Sequence, residues 1–227
     1  MIESFIVKET VEKTIEQPQT PVEKFWDNLE KTVEVEPTEK IKQEAKIAGW
    51  WDNLKNDVFK ELDEYDFDGK DYNKNPEQLN SILEGFREEN WNNMDLDRKK
   101  EQIKGFSDYV NEVLELKNPV NIEYYNVPDK GDCGSYINEN NTVCINEYTL
   151  DDPKEAVNTA AHELWHAYQY EKASDPQSFK DFLYKINFEN YIRPDDDFDG
   201  YKKQLVEAEA RAFAGQFNVA LDLTEKV

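Results

Sequence analysis

Hydrophobic and polar positions follow two different patterns along this chain. Through residues 1 to about 70, apolar residues sit in short alternations among Lys, Glu, Thr and Pro, and no helical or strand period is sustained. Beyond that point the periods become clear. Leu79, Ile82, Leu83 and Phe86 form a stripe that predicts a helix starting at the Asn75-Pro76 cap and ending near Asn90. Ile103, Phe106, Val110, Val113 and Leu114 predict a second helix from about Asp97 to Leu116. Both stripes read as core.

Asn118-Pro119 stops that helix, and Val120 to Tyr125 alternates as a strand does. After the turn signal at 128–131, residues 134–138 and 142–146 predict a hairpin. A two-residue loop at Asn140-Asn141 sets Ile137 opposite Cys144 and Cys133 opposite Tyr148. That register holds the two cysteines beyond the roughly 7 Å a disulfide spans, so two unpaired thiols are expected. A helix follows from about Pro153 to Lys172, with Asp152 as N-cap and Glu155 closing a capping box. Ser174-Asp175-Pro176 predicts the cap of another helix through about Lys185, and a last helix is expected over 201–221. The acidic run Asp195 to Asp199 lacks the spacing of an EF-hand and reads as a solvated turn and helix cap.

The chain accordingly divides into an acidic arm, residues 1–70, flexible or helical, and a domain over 71–227. In the arm Trp26-Asp27-Asn28-Leu29 recurs 25 residues later as Trp51-Asp52-Asn53-Leu54. Two copies are too few for a self-supporting array, which leaves docking elements or short covering helices.

The chemistry is concentrated in the predicted helix over 153–172. His162-Glu163-Leu164-Trp165-His166 places the chain's two histidines four apart, on one helix face, with Glu163 beside them. This pattern points to a metal ion held by both imidazoles, with the glutamate placed to act on a water. Zn2+ is the expected ion, since three protein ligands and an open fourth position suit it. With no other histidine in the chain, the third ligand must be a carboxylate or a cysteine. The last helix offers Glu207 and Glu209, two apart and therefore on different faces, so one of them is expected in solvent. Ala208, Ala210, Ala212 and Ala214 permit that helix to pack closely.

A net charge of -23 over 227 residues speaks against nucleic acid and anionic membranes as partners and reads mainly as a solubility feature, with a basic peptide substrate or basic partner as the weaker reading. The first residues carry only a short apolar run with early acid, unlike a secretory signal, and no stretch approaches the roughly 18 apolar residues of a membrane span. A cytoplasmic location, or export by a non-classical route, is expected.

His162, Glu163 and His166, followed by Glu209, Ala210, Phe213 and Ala214, resemble the minimal gluzincins, including the ImmA/IrrE-type metallopeptidases and zinc endopeptidases among bacterial effector and polymorphic-toxin domains. The resemblance covers about residues 118–221 and omits the Pro-containing tail of the antirepressor type. It implies an α+β zincin-like metallopeptidase domain with a small antiparallel sheet and an active-site helix. It further implies His162, His166 and Glu209 as ligands, Glu163 as general base and Glu207 as support behind a ligand. Tyr168, Tyr191 and Arg211 are candidates to stabilise the oxyanion. The function implied is hydrolysis of peptide bonds in a protein substrate, with a toxin-like effector restrained by an inhibitor or immunity protein as one form of it. The alternative is a non-catalytic, zinc-stabilised interaction module working through the arm.

Overall fold

The computed structural model describes residue 67 and residues 70–127 and 133–224. The two Trp-Asp-Asn-Leu elements and the turn at 128–131 lie outside the described residues. The class is α+β, mostly helical with one small sheet. Helices α1 (Pro76–Glu84), α2 (Glu88–Trp91) and α3 (Leu96–Leu114) precede strands β1 (Asn121–Tyr125), β2 (Gly134–Ile137) and β3 (Thr142–Asn146). Helices α4 (Pro153–Ser174), α5 (Phe179–Glu189), α6 (Phe198–Lys203) and α7 (Leu205–Thr224) follow.

Local chemistry sets these bounds. The single helix expected from Asn75 to near Asn90 breaks at Gly85, because the Gln102 side chain donates to the Ile82 carbonyl at 2.8 Å and occupies the space beside that glycine. Asp152 accepts the amides of Lys154 and Glu155 and so caps α4 as expected. The reciprocal half of the expected capping box is replaced: the Asp152 amide donates to the Thr149 carbonyl, and the Cys133 thiol points at the Glu155 carboxylate. Helix α4 runs on through Ser174, so α5 starts later than expected, at a complete capping box between Ser178 and Asp181. The last helix is two, since Gln204 turns to extended geometry (ψ 145°) and its side chain bonds both backbone groups of Ile192.

The sheet order is β1-β3-β2, with β2 antiparallel to β3 and β1 parallel to it. The expected antiparallel sheet is therefore mixed: β1 and β3 are joined through β2, which lets them run in the same direction. The hairpin register also differs, with Ile137 opposite Thr142 and Ser135 opposite Cys144. A 3-10 turn at Asn138–Asn140 and left-handed Asn141 (φ 51°) take up the connection in place of a two-residue loop. The slip of two positions leaves every side chain on its expected face. Cys133 and Cys144 form no disulfide, and the Cys133 sulfur lies 3.0 Å from the Tyr148 hydroxyl.

Helix α4 is the central element, packed by α7, α5, α3 and the inner side of β2 and β3. Ala160, Ala161, Ala210 and Ala214 are fully buried, and their small side chains let α4 and α7 approach. An aromatic column surrounds that contact. Trp165 stacks on Phe213 with centroids 4.5 Å apart, Phe67 meets both edge-on, and Phe217 meets Phe106 at 5.1 Å. No helix among the described residues is long and apolar enough to cross a membrane.

Phe213 shares ring contacts with Phe67, Trp165 and Phe217, so Phe213→Ala removes the centre of the column. A loss of about 3–5 kcal/mol is expected, read from the midpoint of a urea unfolding curve.

Candidate metal centre

Residues 162, 163 and 166 lie mid-way along α4, where a continuous hydrogen-bonded helix holds side chains four apart one above the other. The two imidazoles converge as that geometry requires, with their Nε2 atoms 3.1 Å apart. Glu163 is 7% exposed and lines the same cleft.

The third member is Glu207, in place of Glu209. Its Oε1 lies 3.2 Å from His166 Nε2 and its Oε2 lies 3.3 Å from His162 Nε2. One ligand atom from each of the three residues falls within 4.8 Å of the others. Glu209 points the other way around α7, where it accepts from the Tyr184 hydroxyl at 2.5 Å and sits 3.2 Å from Lys180 Nζ. The expectation that one glutamate would be in solvent is also overturned: Glu207 is 1% and Glu209 0% exposed. Two residues on a helix separate by about 200°, but α7 is covered on both sides, by α4 and by α5.

A cleft of about 230 Å³ opens onto these residues, lined also by Gly134, Ser135 and Tyr136 of β2 and by Tyr170, Phe188, Tyr191 and Tyr201. Of the oxyanion candidates, Tyr191 is in the cleft and donates to Glu207 Oε1 at 2.6 Å. Arg211 reaches Glu207 Oε2 from outside at 3.6 Å. Tyr168 is no part of the cleft: two positions from His166 it turns into the core, its ring 4.9 Å from Trp165 and covered by Lys70 and Lys172. Tyr201 and Tyr170 are cleft residues that the sequence reading missed. Tyr170 carried a signal, since it continues the four-residue spacing of 162 and 166.

Gly134 brings β2 against α4. A methyl group there would stand 2.8 Å from Thr159 Cγ2, 3.0 Å from the Cys144 carbonyl oxygen and 3.3 Å from Glu163 Cγ, so only glycine allows this approach.

Electrostatics keep the cluster polarised. Burial favours the neutral form of Glu207, but the two imidazoles beside it prevail and hold its carboxyl far below the usual range. Burial likewise opposes charge on His166, and the carboxylates of Glu207 and Glu163 outweigh it, raising the imidazole above its ordinary value. Burial and the Glu207 carboxylate push the Tyr191 and Tyr201 hydroxyls well up, so both keep their protons.

The donor set suits a zinc ion. Glu207 Oε2 is buried and accepts no well-formed hydrogen bond, although His162 Nε2 and the Arg211 guanidinium stand 3.3 and 3.6 Å from it. Both imidazole Nε2 atoms face the Glu207 carboxylate, and His166 Nδ1 is engaged on the far side of its ring by Gln169 Oε1 at 2.9 Å. Two imidazoles and one carboxylate are a familiar zinc-binding combination.

A comparison of the chain with protein-family models, curated proteins and solved structures returns no significant match.

Glu207→Ala is expected to abolish stoichiometric zinc uptake, whereas Glu209→Ala keeps about one zinc per chain, bound more weakly. Metal analysis after dialysis against dilute zinc checks both, and equal loss in the two variants would contradict the assignment.

Proposed function

We propose that this protein is a zinc-dependent, zincin-like metallopeptidase. The observation that carries the reading is the meeting of His162, His166 and Glu207 at one point with Glu163 lining the same cleft. His162, His166 and Glu207 would hold the ion. When bound there, zinc supplies Lewis acidity that polarises a carbonyl and makes a water more acidic.

The remaining steps belong to side chains of the chain. Glu163, a carboxylate on the cleft wall, takes the proton of the attacking water and passes it to the leaving amine. Tyr191 keeps its proton and can turn it from Glu207 to the oxygen of the scissile carbonyl as charge develops there. Tyr201 stands in the same cleft as a further hydroxyl donor. Among the described residues strand β2 pairs only with β3, so a peptide can lie along its other edge and bind through main-chain hydrogen bonds. Among the described residues the lining includes two carboxylates, Glu163 and Glu207, no Lys or Arg, and aromatic rings from Tyr136, Tyr170 and Phe188. Substrates with apolar or basic side chains near the scissile bond suit such walls.

Glu163→Gln is expected to retain zinc and to lose peptide hydrolysis by about 100-fold or more, measured on a mixture of unstructured peptides with product analysis. A zinc-loaded parent that cuts nothing, while a chelator still destabilises it, would favour the non-catalytic interaction module instead.

A further inference from the structure

We infer that Gln169 and Glu209 are positioning residues that hold a hydrogen on His166 Nδ1 and so turn its Nε2 towards the metal centre. Gln169 is fully buried on α4, three residues beyond His166. Its Nε2 lies 3.1 Å from the Val206 carbonyl oxygen and 3.4 Å from Glu209 Oε2. A carbonyl and a carboxylate only accept, so the NH2 end of the amide must face them. The amide oxygen then faces His166 Nδ1, at 2.9 Å. An amide oxygen also only accepts, and Nδ1 must therefore carry the hydrogen. Nε2 is thereby turned towards Glu207 and His162, 3.2 and 3.1 Å away, where the carboxylate accepts a hydrogen from it until a metal ion takes that place.

Glu209 is itself pinned, by the Tyr184 hydroxyl at 2.5 Å and Lys180 Nζ at 3.2 Å. The orientation thus passes from α5 through Glu209 and Gln169 to the imidazole. One turn of α7 serves both sides of the centre, Glu207 as ligand in front and Glu209 as anchor behind. This also explains why Glu209 is buried without joining the ligand atoms. Partners of this kind orient metal-binding histidines and set their tautomer.

The consequence for zinc rests on the function proposed above, whereas the tautomer does not. Long-range ¹H–¹⁵N spectra of the full chain, which contains two histidines, resolve both rings. In metal-free parent His166 Nδ1 is expected to carry a hydrogen, whatever the state of Nε2. In Gln169→Leu the ring should shift towards the Nε2–H form. A parent ring whose Nδ1 carries no hydrogen overturns the inference even if the variant does not fold. So does an unchanged tautomer in a folded variant. Zinc affinity by chelator competition should fall about 10- to 100-fold in Gln169→Leu and by less in Glu209→Gln. Equal affinities in folded Gln169→Leu and parent overturn the positioning role. A parent that takes up no zinc removes the proposed function, and the ring spectra then decide this inference alone.

Discussion

A carboxylate withdrawn from water must be answered by charge or hydrogen bonds, and Glu207, 1% exposed, imposes that demand on this protein. Leaving such a group unanswered costs several kcal/mol. Two imidazoles from one helix face, the Tyr191 hydroxyl and the flanking Arg211 supply the answer. The surrounding architecture serves to bring these groups together. The Gln204 break lets α7 begin anew just before Glu207, and the paired alanines of α4 and α7 let the two backbones close.

Helix α7 places two glutamates in opposite electrostatic settings within a single turn. Glu207 is held ionised by the rings beside it. For Glu209 burial is the larger influence and moves its carboxyl upward, with Lys180 and Tyr184 drawing it back. Equal depth therefore does not mean equal chemistry. What distinguishes them is which neighbouring helix each one meets.

Much of the fold was legible because local rules govern it. The helix caps at Asn75 and Asp152, the apolar stripe of α3 and the alternation in β1 depend on neighbours close in sequence. The hairpin register and the parallel pairing of β1 with β3 depend on turn geometry and chain return, and the sequence does not announce them. In the site, helical spacing alone brought His162, Glu163 and His166 together. The choice between Glu207 and Glu209 was not readable, since it turns on the rotation of α7 about its axis against α4. Burial of both was unreadable for a related reason: no pattern within 205–224 reveals that α5 covers the second face. Tyr191 was named from its type and reached the cleft, while Tyr168 was named on the same ground and lies in the core.

Phe67 is remote from the cleft residues in sequence, yet its ring wedges between Trp165 and Phe213. Trp165 immediately precedes His166 in α4. Lys70 adds an ion pair to Glu115, 2.6 Å away. Compositional boundaries and mechanical ones therefore do not coincide here. Trimming the acidic leader back to its apparent edge at residue 70 would pull a keystone from beneath the histidine helix, so a minimal working fragment has to begin upstream of Phe67.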